Sequence, residues 1–252
     1  MSNYNKSIDI ILPNFNSSAY LEQTINSIFK QNYKFWKLII VDDASDIGTK
    51  KILKKYSKYK KIKIFWLKKN RGAGFCRNLA IKKSNSDYLA FIDSDDIWKK
   101  NKLKNQINFM TKKNISFCYT NYITFGKKIK KIKVPPKLNY NEFISNTSIA
   151  TSTMMINRNK IKNIKFSNTK ICEDYYFKCK LLKRIENAYC LDQFLTKYRI
   201  RDNSLQSSNL ENLYWIWKIN KNYNKLSFYR NLKSLLNISI NSLKKYGMKN
   251  IF

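Results

Sequence analysis

The chain has 252 residues; 50 are Lys or Arg, 16 are Asp or Glu and none is His, for a formal net charge of +34. That length supports one large domain or two small ones, with a core that needs no disulfide or zinc staple. The absence of His excludes Ser-His-Asp and Cys-His catalysis and His-ligated zinc, and leaves carboxylates, Lys, Tyr, Cys or an oxygen-held metal.

Residues 8–12 form a continuous apolar run closed by Pro13-Asn14, which predicts a buried strand. Ser17 or Ser18 caps a helix with Tyr20, Leu21, Thr24, Ile25, Ile28 and Phe29 on its inner face. A strand at 37–42, a helix at about 49–59 and an alternating strand at 61–67 follow. Gly72 and Gly74 open a helix to about residue 83, and 87–93 reads as a strand ending in acids. A helix at 99–112 and a strand at 115–123 complete the first half. The second half is looser. Residues 127–133 are strongly basic and Pro135-Pro136 breaks any element; 151–156 reads as a strand, 173–184 as a helix and 187–198 as extended. From about residue 210 the tail is helical and aromatic-rich, with Leu232, Leu235, Leu236 and Leu243 on one helical face. This alternation predicts an α/β fold with a mostly parallel central sheet, helices on both faces and a C-terminal helical extension. Such sheets bind ligands beyond the carboxyl ends of their strands.

The charge is mostly Lys: 43 of the 50 basic residues are Lys and 7 are Arg. A/T-rich coding that loads the surface with Lys is the first explanation. A nucleic-acid binder would lean on Arg, so no specific nucleic acid is expected as a partner. Peripheral contact with an anionic membrane remains open. No apolar run approaches the roughly 18 residues of a membrane span. The five Cys are odd in number and form no CxxC pair. A cytoplasmic location is expected, with the cytoplasmic face of the inner membrane as the narrower version.

Acids are rare, so their clustering carries information. Six of the eleven Asp sit at three places: Asp42-Asp43 after the second strand, Asp93, Asp95 and Asp96 after the fourth, and Asp174 beside Glu173 at a helix start. Like charges so close repel, and a hard divalent cation relieves the repulsion. Asp93-Ser94-Asp95 is an Asp-x-Asp at a strand end; an acid run favoured by a helix dipole is its simpler reading. Asn70-Arg71-Gly72-Ala73-Gly74 with Arg77-Asn78 spends two of the five Gly between a strand and its helix, which suits close approach of a phosphate or an ordinary tight turn.

In order and spacing, Ile10-Ile11-Leu12-Pro13-Asn14-Phe15-Asn16, Ile39-Ile40-Val41-Asp42-Asp43-Ala44-Ser45, Asn70-Arg71-Gly72 with Gly74 and Arg77-Asn78, Phe91-Ile92-Asp93-Ser94-Asp95-Asp96 with Trp98, Glu173-Asp174-Tyr175, and Tyr198-Arg199 with Arg201 and Ser204 resemble a family 2 glycosyltransferase of the bacterial surface-glycan type. The resemblance covers about residues 7–205. It implies a GT-A domain over 1–205, with a nucleotide-binding half to about 125 and an acceptor half from about 126, and a helical segment over 206–252. It implies transfer, with inversion, from a nucleotide-diphosphate sugar (a UDP-sugar first) to a hydroxyl of a glycan or lipid-linked acceptor. Pro13, Phe15 and Asp43 would hold the base and ribose, and Asn16, Arg71, Arg77, Asn78 and Arg201 would complete the donor site. Asp93 and Asp95 would hold ribose and a Mg²⁺ or Mn²⁺ ion. Asp174 would take the acceptor proton, with Glu173 as the competing base. One departure stands out: the Tyr-Arg-x-His common in relatives reads Tyr198-Arg199-Ile200-Arg201, and Arg cannot titrate near neutral pH. Two other classes are weaker. A nucleotidyltransferase would want a Gly/Arg-rich loop where residues 13–18 have neither, and a basic nucleic-acid or membrane-binding module would leave the clustered Asp unexplained.

Overall fold

In the computed structural model, which describes residues 6–201 and 209–246, strand β1 (Ile8–Asn14) is buried along its whole length. Its side chains alternate between two cores, as a pleated strand must. Ile8, Ile10 and Leu12 enter one core and Ile11 the other. Helices α1 (Leu21–Phe29), α2 (Ile47–Tyr56) and α4 (Lys102–Lys112) cover the first face through Leu21, Ile25, Leu53, Leu103 and Ile107. Helices α3 (Ala73–Lys83), α5 (Tyr140–Phe143) and α6 (Glu173–Arg184) cover the second through Cys76, Ala80, Phe143, Phe177 and Leu181. The α/β class with helices on both faces therefore holds.

Strands β2 (Trp36–Asp42), β3 (Ile62–Trp66) and β4 (Tyr88–Phe91) run parallel to β1. The register aligns Asn14 with Asp42 and Ile11 with both Ile39 and Phe91, so the acids after β2 and β4 emerge at one edge of the sheet. Beyond β4 lies the antiparallel β9 (Met155–Asn157), then the parallel pair β6 (Phe117–Gly126) and β10 (Ala188–Ile200). Among the described residues the sheet order is β3-β2-β1-β4-β9-β6-β10-β5, with β7 (Lys130–Ile132) on β6 and β8 (Lys137–Leu138) on β10.

Several local expectations shift. Helix α4 begins at Lys102 rather than near residue 99, and ahead of it the unpredicted strand β5 (Ile97–Trp98) forms, where Trp98 pairs with Thr196 and its indole N–H donates to the Ser152 carbonyl at 2.8 Å. Helix α2 begins earlier than predicted, since the Asp46 carboxylate accepts the Thr49 N–H at 2.6 Å and caps it. Ser17 serves α1 through its carbonyl, which accepts the N–H groups of Tyr20 and Leu21, while its hydroxyl donates to Asn14. The predicted strand at 151–156 is a 3₁₀ turn (Thr151–Thr153) followed by β9.

Helices α7 (Asn209–Asn222) and α8 (Phe228–Tyr246) place Ile216, Ile219 and Ile238 in the same core as α6. Ser204 and the boundary near residue 205 lie outside the described residues.

Gly74, in the first turn of α3, marks a close approach. A Cβ there would lie 2.6 Å from the Ser167 carbonyl oxygen and 3.0 Å from Cγ of Glu173. Backbone cannot yield as a flexible side chain does. Gly74→Ala is expected to cost about 1–3 kcal/mol of stability in urea unfolding, the usual price of overpacking.

Candidate active site

At the sheet edge Asn14 ties two strand ends together. Its amide donates to Asp42 Oδ1 at 2.7 Å and to Ser45 Oγ at 3.2 Å. Asn16, at φ 45°, continues this web: its amide oxygen accepts the Asp46 N–H at 2.8 Å. Phe15 projects between them and is exposed, a ring free to meet a planar ligand, whereas Pro13 is buried in the ladder. Asp43 accepts the N–H groups of Arg71 and Gly72 at 2.7 and 2.8 Å. Its carboxylate thereby sets the loop that Gly72, at φ +85°, turns into α3. Arg71 lies exposed over the Phe75 ring.

Arg77, one turn into α3, is buried and bridges two distant segments. One terminal nitrogen donates to Asp93 Oδ1 at 2.7 Å and the other to Glu173 Oε1 at 2.6 Å. Burial disfavours its charge, but Asp93 and Glu173 outweigh that and keep the guanidinium firmly protonated. Asn78 is spent differently from the expectation. Its amide donates to the Phe166 carbonyl at 2.9 Å and accepts the Phe166 N–H at 2.8 Å, so both ends clamp backbone rather than face a donor.

The three acids after β4 each meet a separate partner. The Asp93 N–H donates to Ser152 Oγ at 3.0 Å. Asp95 Oδ2 pairs with Arg201 Nε at 2.8 Å. Asp96 Oδ1 accepts the Arg199 N–H at 2.8 Å, and Arg199 Nε donates to the Asp95 carbonyl at 2.8 Å. Burial, then the neighbouring Asp93, pushes the Asp95 carboxyl up; burial, then Asp95 and Asp93, pushes Asp96 up further. Asp93 and Asp95 are thus neighbouring carboxylates, each held by one arginine through one oxygen, Asp93 Oδ1 and Asp95 Oδ2. No cluster of three or more His, Cys, Asp or Glu suited to a metal occurs among the described residues. Two carboxylates with substrate phosphates completing the shell is the usual arrangement for Mg²⁺, so the residues fit such an ion.

Glu173 and Asp174 open α6 after Cys172, which turns the chain at φ 60°. Successive helical residues diverge by about 100°, so the two acids face different partners. Glu173 faces Arg77; burial pushes its carboxyl up despite that arginine. Asp174 Oδ2 accepts from Lys178 Nζ at 2.6 Å and from Thr151 Oγ1 at 2.8 Å. Burial alone would raise Asp174, but Lys178 first, with Arg77 and Thr151, holds it at about 2. Lys178 is itself buried, with further bonds to the Ile149 carbonyl and Thr151 Oγ1.

The structure therefore brings Arg77, Asp93, Asp95, Glu173, Asp174 and Arg201 into one linked acid–arginine array and leaves Phe15 and Arg71 at its exposed side. Sequence reading missed Lys178, Thr151, Ser152 and the structural role of Arg199. Lys178 carried a signal, four residues after Asp174 on the same helix. Ser152 and Thr151 carried none, since only the fold sets them beside the acids.

Residues 9–187 match the family described as glycosyl transferase family 2. TuaG of Bacillus subtilis, named for teichuronic acid biosynthesis, is 33% identical over 250 residues, 97% of this chain and 99% of its own. WfgD of Escherichia coli, named as a UDP-Glc:alpha-D-GlcNAc-diphosphoundecaprenol beta-1,3-glucosyltransferase, is 32% identical over 243 residues, 95% of each chain. Among solved structures, S. aureus TarS 1-349 in complex with UDP-GlcNAc superposes with a TM-score of 0.73 at 23% identity, over 94% of this chain and 73% of that one. A mannosyltransferase of Pyrobaculum calidifontis in complex with GDP-Man and Mn²⁺ gives 0.72 at 12% identity, over 98% and 77%. These likenesses give the fold as GT-A and set aside the nucleotidyltransferase and binding-module readings. The chain belongs to glycosyl transferase family 2 and is a glycosyltransferase.

Proposed function

We propose that the enzyme transfers a sugar, with inversion, from a UDP-sugar to a hydroxyl of a lipid-linked surface-glycan acceptor. The observation that supports this is Arg77, whose one guanidinium joins Asp93 of the Asp-x-Asp to Glu173 of the Glu-Asp pair and so gathers both acid motifs at one place. UDP and the lipid-linked acceptor are supported by the name of WfgD and the ligand of TarS.

In this reading Phe15 stacks on the base, the Asn14–Asp42–Asp43 web shapes the ribose site, and Arg71 reaches the diphosphate. A Mg²⁺ or Mn²⁺ ion held by Asp95 and Asp93 would supply charge stabilisation to the departing diphosphate. Arg201 stands where relatives carry His. As a fixed cation beside Asp95 it can pass to a phosphate oxygen when a donor arrives, adding charge stabilisation that does not depend on pH. Asp174 takes the acceptor proton as the hydroxyl attacks the anomeric carbon from the face opposite the leaving diphosphate. Lys178 and Thr151 fix its Oδ2 and keep it ionised, which is the state a base needs.

Asp95→Ala is expected to lower turnover by at least about 100-fold and to abolish the Mn²⁺-dependent part of the thermal shift given by UDP. An unchanged Mn²⁺ effect would remove Asp95 from the metal site.

For the base, Asp174→Asn should leave UDP binding intact and lower transfer by at least about 100-fold, with Glu173→Gln milder in kcat. The pH profile separates the two acids. A base whose carboxyl sits at about 2 is ionised throughout the working range, so it contributes no acid limb to kcat/KM between about pH 5 and about pH 8. An acid limb inside that window that shifts or disappears in Glu173→Gln would assign the base to Glu173, whose carboxyl is pushed up by burial; one that stays belongs to another raised acid such as Asp95.

A further inference from the structure

Helix α8 packs inward through Ile238 and Leu235, yet it also keeps a row of large apolar side chains on its outer face. Its inward face carries Asn231 and Ser234, both about fully buried. Asn231 donates to the Trp217 carbonyl at 3.1 Å, Ser234 to the Ile144 carbonyl at 2.6 Å, and Asn241 to the Ser145 carbonyl at 3.0 Å. Its outward face carries Phe228, Leu232, Leu236 and Ile240, exposed by 64%, 43%, 57% and 48%. Their spacing of four residues makes one apolar stripe along the helix. Rolling the helix would bury the stripe but leave buried polar groups on the core unpaired, so the hydrogen bonds hold the apolar side outward. Lys233 and Lys244 are exposed on the same helix, and Lys221 and Lys225 lie near its start.

A contiguous apolar surface of this kind marks an interaction site. Charge decides the occupant. A second copy would bring its own formal +34 to the contact and be repelled. An anionic phospholipid surface offers the opposite charge at headgroup level and an apolar layer below it. No helix among the described residues is long and apolar enough to cross a membrane, so α8 would lie in the interface rather than span it.

We infer that the Phe228–Leu232–Leu236–Ile240 face of α8 docks on an anionic bilayer. The inference goes beyond the proposed reaction and would orient it. Tyr175, which follows Asp174 in the chain, donates through its hydroxyl to Asn220 at 2.8 Å, and Asn220 donates to Asn231 at 3.0 Å. A surface that holds α8 is therefore coupled through buried hydrogen bonds to the helix that carries Glu173 and Asp174.

The test is sedimentation of the full chain with phosphatidylcholine vesicles containing about 30% phosphatidylglycerol, against phosphatidylcholine alone, without donor or acceptor. Wild type should bind the anionic vesicles at least about tenfold more tightly. Net charge alone would give part of that, so the apolar face is the deciding arm. Leu232→Ser/Leu236→Ser/Ile240→Ser should weaken binding to anionic vesicles about tenfold or more with an unchanged Tm. Should the triple variant fail to fold, Leu236→Ser alone is expected to weaken it about threefold. Binding that survives these substitutions overturns the inference. So does a wild-type dimer in light scattering that the triple variant dissolves with vesicle binding unchanged, which would give the face to a second copy. Because no nucleotide is present, neither outcome depends on the proposed donor, acceptor or base.

Discussion

Arg77 is 5% exposed and carries two ion pairs, to Asp93 beyond β4 and to Glu173 at the start of α6. Taking a guanidinium out of water is costly unless both geometry and partners are fixed. Here the fixing is mutual. Gly74 lets α3 close on Glu173, Asn78 pins the backbone of Phe166, and the Phe166 ring lies under the guanidinium at 5.3 Å. The sheet edge that ends in Asp93 and the second-half segment that ends in Glu173 are thus built onto one helix. Removing the arginine would leave two partly buried carboxylates facing each other, a larger loss than either ion pair alone.

The same logic explains how so basic a chain keeps its acids gathered at one site. Four of its seven Arg, at 71, 77, 199 and 201, stand around the site, while most Lys are spread over the solvent surface. Arginine suits this work because its charge does not move and its planar fork can meet two carboxylates at once. Lys178 is the exception. It is a buried lysine held by three acceptors, and it keeps Asp174 charged. The formal +34 is a property of the surface; the site is arranged by a few pairs whose balance is close to neutral.

Much of this was legible in the sequence where local chemistry decides. The apolar runs gave β1, β2 and β4, and the rarity of Asp made residues 93–96 and 174 stand out. What was not legible depends on long-range pairing. Ile97-Trp98 becomes a strand only because Thr196, about a hundred residues away, offers a ladder. Asn78 sits in a motif that suggests a ligand, yet its partner is the Phe166 backbone, which no periodicity announces. Asp174 was found, but its pairing with Lys178 and Thr151 needed the 3₁₀ turn to be placed beside α6. The leucines of α8 were read as one helical face, but the fold splits them: Leu235 packs against the core while Leu232 and Leu236 stay exposed, because buried asparagine and serine contacts set the rotation of the helix.

Strand β10 runs for thirteen residues and changes company along the way, pairing with β8 at Ala188, with β6 through two register shifts, and with β5 at Thr196. Its far end supplies Arg199 and Arg201 to the acids. Mechanically it is a tie rod. Strands β5, β6 and β8 cannot move apart from one another without tearing ladder bonds along it. A ligand that comes to Arg199 and Arg201 therefore meets a backbone held by the sheet, and the give at that wall falls to the two arginine side chains.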